Sequence, residues 1–437
     1  MRQKKTAYEL SSSQVETPLP VVKLYWEIVS NYRSNISTVL DLGAGDGRFM
    51  YFGKYKKYDG VEIDRNRING IDIPHKAAIH NECAFEYNKQ GYSICIGNPP
   101  YVRHHDLDEN WRDKIVNKLN NEIGISINRK CNLYSYFLML GILKTNKTGL
   151  IAMVVPYEWV SRPSTKYLRD YINEKKWHVD IYRFTEEIFS NVLTTSSISI
   201  IDKKNNDGKW DYYSIDAKGV QKKHQKVTIS SKEILPYEKH GVISAKRGLS
   251  PGTQKIFTIS EGERIHLGLT RNDVTPCVTS LRYFSDGITH LNYKNFREYY
   301  IDAGLKCWLI NSYTKPSQQL SKYLKSIPKR QRDTWTCNNQ RPWYKYKLNA
   351  CPQILMAAGF TRFGPKIVHN DIKAHPVGSV CGIYSNKDLK WDHLRNFLRG
   401  ICFEKRVVAH SGSLKKIEIK QLNYILNRYS KRYHVGR

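Results

Sequence analysis

A chain of 437 residues, 40% of them apolar, is long enough for two or three domains and apolar enough for a sizeable core, which excludes wholesale disorder. Its formal net charge of +30 comes from 70 Lys and Arg against 40 Asp and Glu. No run of about 18 apolar residues occurs, which excludes a membrane-spanning helix, and the opening Met1-Arg-Gln-Lys-Lys-Thr leads into a polar stretch without a signal-peptide core. Nine cysteines stand singly with no Cys-x-x-Cys pair, as expected of reduced thiols in a cytoplasmic protein. His104-His105 has no zinc-site spacing around it, so no metal is expected.

In chain order, strands are predicted near 37–42, 58–63, 77–81, 92–97, 150–155, 179–184 and 197–202, with a last one from Trp210 to Ile215. Helices are predicted near 20–31, 46–54, 131–145 and 163–175, and the polar stretch 102–130 is read as a flexible loop or short helices. That alternation gives an α/β fold with a doubly wound, mostly parallel sheet, in which ligands bind at the strands' carboxyl ends.

Three of those ends carry chemistry. Ser37-Thr-Val-Leu-Asp41 runs into Leu42-Gly43-Ala44-Gly45-Asp46-Gly47, a glycine-rich turn that lets a ligand approach the backbone. One βα unit on, Tyr58-Asp-Gly-Val-Glu-Ile-Asp64 places Glu62 where an acid binds both hydroxyls of a ribose. No Walker lysine accompanies them, so phosphate cradling is not the purpose. At the end of Tyr92-Ser-Ile-Cys-Ile-Gly97 stand Asn98-Pro99-Pro100-Tyr101. Proline gives up its N–H, so nearby carbonyls face outward without a competing donor. An Asn carbonyl beside a Pro carbonyl accepts both hydrogens of a planar amine, and the tyrosine offers a stacking face. This is hardware for alkylating the nitrogen of an amide or a nucleobase.

With these motifs the chain resembles the γ-type, TaqI-like DNA adenine-N6 methyltransferases that use S-adenosyl-L-methionine. Further segments fall in family order: Glu16-Thr-Pro-Leu-Pro-Val-Val22 before the glycine-rich turn, Asn132-Leu-Tyr-Ser-Tyr-Phe137 and Gly149-Leu-Ile-Ala-Met-Val-Val-Pro156 after the amine site, then Glu187-Ile-Phe189. The resemblance implies a Rossmann-like catalytic domain over 1–220 and methylation of a flipped-out adenine in duplex DNA within a restriction–modification or phage-defence system. It assigns Asn98, Pro99, Pro100 and Tyr101 to catalysis, with Tyr101 and Phe189 stacking on the target base. It assigns Thr17, Asp41, Leu42, Gly43, Ala44, Gly45, Glu62, Ile63, Glu82, Cys83 and Pro100 to the cofactor. One stretch departs from the pattern: where the family has an Asp followed by a bulky residue, this chain has Ile79-His-Asn81-Glu82-Cys83, so Asn81 or Glu82 serves the cofactor's adenine.

The second half lacks βα alternation and holds most of the charge. Residues 211–437 carry 40 of the 70 cations and 16 of the 40 acids, an excess of 24. A basic half joined to an amino-methylating half implies a polyanionic partner. Segments 248–257, 341–346 and 377–384 look like a mixed α/β target-recognition domain, placed at 235–437 behind the linker Lys218 to Lys232. Lys329, Arg330 and Arg332, with Arg341, Trp343 and Lys345, interleave cations with aromatics and are the candidate DNA contacts. Any restriction activity requires a separately encoded endonuclease. Two alternatives share the amine chemistry: an RNA adenine methyltransferase, which charge alone does not separate from a DNA enzyme, and a protein-glutamine methyltransferase, which the large basic carboxyl half argues against.

Overall fold

The structure is a computed structural model that describes residues 15–185, 195–216, 219, 221–224, 235–361, 364–407, 409–411 and 414–435. The chain forms two compact units, one of Arg2–Ser230 with Val408–Gly412, the other of Ser231–Val407 with Ser413–Arg437.

The first unit is built on one sheet of nine strands: β1 (Ile36–Leu42), β2 (Tyr55–Val61), β3 (Ala77–His80), β4 (Tyr92–Ile96), β5 (Thr145–Pro156), β6 (His178–Phe184), β7 (Ser196–Asp202), β8 (Trp210–Ile215) and β9 (Gln221–His224). Their order is β3-β2-β1-β4-β5-β7-β6-β8-β9. Strands β1 to β5 are parallel, and β7 runs antiparallel to both β5 and β6. This is the mostly parallel α/β sheet expected from the sequence.

Strand alternation sorts the core into two layers. Val39, Ile94, Ile96, Leu150, Ala152 and Val154 face one side with helix α1 (Leu19–Tyr32). Leu40, Leu42, Cys95, Ile151, Met153 and Val155 face the other, beneath helices α2 (Glu109–Ile123) and α3 (Leu133–Lys144). Strands buried on both faces read as continuous apolar runs, which is why these segments are visible in the sequence. Helix α3 is apolar on all sides and wholly enclosed except at Leu143. Its last carbonyls are satisfied by a buried cation: Lys203 Nζ donates at 3.0 Å to the Ile142 and Thr145 carbonyls and to Thr145 Oγ1.

The structure corrects several expectations. The helix near 46–54 is a single 3-10 turn, Arg48–Tyr51. Gly47 takes a left-handed φ of 72° directly before it, which breaks any helix begun upstream. Stretch 102–130 holds a 15-residue helix, α2. Asp108 caps it by accepting from Trp111 N at 2.9 Å, Gly124 ends it at φ 79°, and only Ile115, Val116 and Leu119 are buried. The helix near 163–175 opens as a 3-10 turn, Pro163–Thr165, before α4 (Lys166–Glu174). Strands β2 and β3 end at Val61 and His80, so Glu62 and Glu82 stand just beyond them.

In the second unit β10 (Ile243–Arg247), β14 (Ile354–Ala357), β16 (Ile367–His369) and β18 (Val380–Ser385) form an antiparallel sheet in the order β10-β18-β14-β16. A second sheet has the order β11-β13-β12-β17, from β11 (Thr258–Ile259), β12 (Val274–Val278), β13 (Trp308–Ile310) and β17 (His375–Pro376), while β15 (Gly359–Phe360) pairs elsewhere. The longer helices are α5 (Gln318–Ser326), α6 (Trp391–Arg399) and α7 (Ile419–Arg432), the last opened by a capping box at Glu418. None of the nine cysteines is in a disulfide, and no helix of the described residues is long and apolar enough to cross a membrane.

One ionic cluster braces the edge of the first unit's sheet where β6 begins. His178 lies 3.1 Å from Asp180 and 2.8 Å from Asp207, and Tyr32 donates to Asp180 at 2.5 Å. Its bond to Asp180 outweighs burial and, helped by Asp207, pushes the imidazole's pKa up to about 9. A pKa raised on folding stabilises fully below the unfolded value near 6.5 and is lost as pH rises through the folded one. His178→Gln is expected to lower the thermal midpoint at pH 6, and the gap to wild type should close between pH 6.5 and 9. Melting curves of both proteins across that range check it.

Candidate active site

Register brings the three sequence motifs to one edge of the sheet. Asp41 on β1 pairs with Gly60 on β2 and Ile96 on β4, so Glu62 and Asn98 both leave the sheet two residues beyond Asp41's partners. Strand order reverses between β1 and β4, and a crevice opens at such a switch point. The two strand ends approach closely at Gly97. Its φ is 149°, and a Cβ there would lie 2.6 Å from the Leu42 carbonyl oxygen.

The next four residues are held from both sides. Val154 on β5 donates its N–H to the Gly97 carbonyl at 2.9 Å and accepts the Tyr101 hydroxyl at 3.1 Å. Tyr101 is half-buried with its edge toward Tyr134, ring centroids 6.3 Å apart, and burial raises its pKa, so it stays a phenol. Asn98, Pro99 and Pro100 are buried. Asn98 Nδ2 donates to the Val15 carbonyl at 2.9 Å and to Thr17 Oγ1 at 3.0 Å. With its donors so engaged, the amide's orientation is fixed and its carbonyl oxygen is the acceptor end.

Segment 15–17 is itself pinned. Arg48 Nη1 donates to the Thr17 carbonyl at 2.6 Å, and its other nitrogens reach Asp46 at 2.5 Å and Glu16 at 2.6 Å. Burial raises the pKa of Asp46, but the bonds from Arg48 outweigh it and leave the acid below its usual range.

On the other side of Gly97 lie two buried carboxylates. Glu62 accepts from Gly45 N at 2.8 Å and Asp64 N at 2.9 Å, so it fastens the glycine-rich turn to the end of β2. Asp41 accepts the Tyr58 hydroxyl on Oδ2 at 2.5 Å, while Oδ1 is buried with no partner. Burial, with Glu62 nearby and only Tyr58 opposing, pushes Asp41's pKa up to about 7. Leu42 and Ala44 are buried and Gly43 and Ile63 partly exposed. Asn81 spends its Nδ2 on the Glu62 and Ile63 carbonyls at 2.9 and 3.2 Å; Glu82 is exposed and Cys83 half-buried. Phe189 lies outside the described residues. Sequence reasoning missed Val15, Arg48, Tyr58 and Gly97; Arg48 follows the glycine-rich turn directly, which is the one signal it gave.

In the second unit Arg332 stacks over Trp343 at 4.7 Å, and Arg341 turns Nη1 onto the carbonyls of Asn338 and Gln340. Lys329, Arg330 and Lys345 are exposed, and Trp343 packs half-buried beside Phe257. The exposed tryptophan is Trp335, at 80%. Two described groups could offer three metal ligands each: His290, His369 and Asp371, and His178, Asp180 and Asp211. In the first Arg395 already donates to His290 at 2.8 Å, and in the second His178 bridges two carboxylates.

Residues 46–189 match the family profile described as Eco57I restriction-modification methylase, and 208–398 match that of Type II methyltransferase M.Eco57I, C-terminal domain. The chain is 22% identical to Type II methyltransferase M.AccI of Acinetobacter calcoaceticus over 383 residues, 78% of this chain and 70% of that one. It is 23% identical to Type II methyltransferase M.HincII of Haemophilus influenzae over 229 residues, spanning 52% of this chain and 44% of the other. A solved structure, the Type IIL restriction-modification enzyme MmeI in complex with DNA, superposes with a TM-score of 0.60 over 92% of this chain and 65% of that one, at 12% identity. That likeness is one of fold.

Gly97→Ala is expected to cost about 1–3 kcal/mol, from a strained φ and a methyl against the Leu42 carbonyl. At about 2–4 °C per kcal/mol for a unit of this size, the shift is readable by differential scanning calorimetry. An unshifted transition would mean that the two strand ends tolerate separation.

Proposed function

We propose that this chain, a member of the type II restriction–modification DNA methyltransferases, transfers a methyl group from S-adenosyl-L-methionine to the N6 amino group of a flipped-out adenine in duplex DNA. The observation that carries this reading is the tethering of Asn98: its NH2 is spent on Val15 and Thr17, which commits its oxygen to accepting.

Adenine N6 is a poor nucleophile because its lone pair is delocalised into the ring. The Asn98 oxygen and the Pro99 carbonyl take one N–H each and draw the nitrogen toward tetrahedral geometry, which localises the lone pair. Acceptors fixed before the substrate arrives need no reorganisation at the moment of reaction. Tyr101, its hydroxyl anchored on Val154, offers the ring face on which a base stacks once it has left the duplex. Phe189 takes the opposite face in the family the sequence resembles. No nucleophilic side chain is required, since the base supplies the electron pair.

The residues around Gly43 suit the cofactor. A buried carboxylate oxygen without a partner, on Asp41, fits an ammonium group. Glu62 has an N–H on each oxygen and retains lone pairs for ribose hydroxyls. Thr17 and the turn from Leu42 to Gly45 would line the methionine part, Ile63 and Cys83 would pack against the adenine, and Glu82 would accept from its amino group. When bound, the cofactor supplies an electrophilic methyl on a sulfonium.

Asn98→Ala is expected to reduce methyl transfer by about a hundredfold or more while cofactor and duplex binding persist. Nucleoside analysis of digested product DNA should contain N6-methyladenine with the wild type only. Near-normal turnover in the variant removes the mechanism; methyl found on cytosine removes the adenine assignment.

Asp41 yields a separate expectation. With its pKa near 7 the free protein is partly protonated there, and an ammonium ligand favours the ionised form. Cofactor affinity should therefore rise from pH 6 to pH 8, with proton release on binding, and Asp41→Asn should abolish both. Isothermal titration in buffers of different ionisation enthalpy measures them.

A further inference from the structure

Within the second unit alone, a cavity of about 720 Å³ is bounded by the end of β10, the loops at 280–282 and 378–381, the end of β14 and the strand before α7. Its lining is cationic at four points, Arg247, Arg282, Lys366 and Lys416, and between them small residues such as Gly359, Gly378 and Ser379 alternate with apolar ones such as Phe360 and Leu414. The small residues leave room for a flat edge. Two of the four cations have structural duties. Lys366 is half-buried and donates to the carbonyls of Arg282 (3.1 Å) and Phe284, which fastens the 282–284 loop to β16. Lys416 is partly buried, 3.9 Å from Glu418.

The two arginines are different. Both are exposed, and both are oriented by a neighbour. Arg247 ends β10, its backbone paired with Cys381, and its Nη2 donates at 2.6 Å to Glu418, the residue that caps α7. Arg282 lies over the ring of Tyr283 at 4.8 Å and donates Nη2 to that tyrosine's hydroxyl at 2.8 Å. Contact with a phosphate asks only for charge and reach, and an unrestrained lysine suffices. A guanidinium steadied by a neighbour at the mouth of a recess is arranged for a planar, bidentate acceptor. On duplex DNA that acceptor is the O6 and N7 pair of guanine in the major groove.

We infer that Arg247 and Arg282 are specificity-determining residues, each reading a guanine of the recognised duplex from the rim of this cavity. The inference rests on the reading of the chain as a duplex DNA methyltransferase. It shifts sequence discrimination away from the 329–345 segment, where Arg341 is turned onto carbonyls of its own loop and Arg332 is partly buried, whereas Arg282 is exposed. Exposed Lys329 and Arg330 keep the role of phosphate contacts. Glu418 and Tyr283 are positioning residues.

The test is selection of bound duplexes from a randomised library by the full chain, with sequencing and no requirement for methylation. The wild type should select a site containing guanines. Arg247→Lys and Arg282→Lys keep the charge but lose the bidentate fork, and each should relax one guanine position about tenfold or more with the remaining positions intact. A Lys329→Ala, Arg330→Ala double variant should keep the wild-type site and lower the slope of log affinity against log salt by about 2. Unchanged sites in both lysine variants would overturn the inference, as would a wild-type site without guanine or selection of no duplex. Selection of a guanine-containing site by a protein that transfers no methyl to it would sink the proposed activity and leave these two arginines standing.

Discussion

The carboxyl ends of β1 and β4 lie together because residue 97 has no side chain. A methyl at that point would press on the Leu42 carbonyl, and the ladder from Val39–Ile94 to Asp41–Ile96 would have to part. That one contact sets the separation between the acids of the glycine-rich turn and the tetrapeptide from Asn98 to Tyr101. Two other fixtures depend on it. Val154 bonds Gly97 and Tyr101 from β5, so it can only hold the tetrapeptide where Gly97 delivers it. Asn98 reaches Val15 and Thr17 only because Arg48, on the turn after β1, has drawn that segment inward. The pocket is closed by hydrogen bonds among residues far apart in the chain, and its dimensions are inherited from a strand pairing.

The two buried carboxylates on the far side of Gly97 show two ways of keeping a charge inside a protein. Glu62 has backbone N–H groups on both oxygens, and the bonds return to the loop the shape that a ligand would need. Asp41 has one bond, from a tyrosine, and an oxygen facing nothing. A buried carboxylate left half satisfied costs stability, and its pKa has moved to where the proton itself is the cheapest partner. Such a group is tolerated where function needs it, and here it stands at a glycine-rich turn across Gly97 from the tetrapeptide Asn98 to Tyr101.

Much of the first unit was legible in the sequence, for an identifiable reason. Strands β1, β4 and β5 are buried on both faces over their carboxyl-terminal halves, so each shows as an apolar run, and β1 and β4 end at the site. Helix α2 escaped because only Ile115, Val116 and Leu119 are buried, with Trp111 and Ile123 partly so, and most of its other positions are charged or amide; Asp108 and Gly124 were its signals. The helix near 46–54 was expected from the fold's usual alternation, but a left-handed Gly47 interrupts it. At the site, Asn98 to Tyr101 could be read because they are consecutive. What holds them could not: Val15 is 83 residues from Asn98, and Tyr58 is 17 from Asp41. Thr17 came into view through family resemblance alone.

The positive charge divides in the same way. Several cations are internal fittings: Lys203 closes the end of α3, Lys144 donates to the Tyr87 carbonyl at 2.5 Å, and Arg33 pairs with Asp202 at 2.5 Å. None of these is available to a polyanion, so the net charge of +30 overstates what a substrate would meet. A scan for charge runs finds Lys329 to Arg332 because they are adjacent, and passes over Arg247 and Arg282 because folding alone brings them to one cavity. Lysines on flexible stems supply affinity that salt erodes, whereas guanidiniums steadied as Arg247 and Arg282 are, by Glu418 and Tyr283, are suited to supply direction. Charge draws in any polyanion, but only fixed donors can prefer one sequence over another, and the proposed transfer likewise asks for an acceptor fixed in place, as the tethered Asn98 amide is. On the proposed reading, selectivity and reaction depend on oriented side chains, and bulk charge governs no more than how strongly a polyanion would be held.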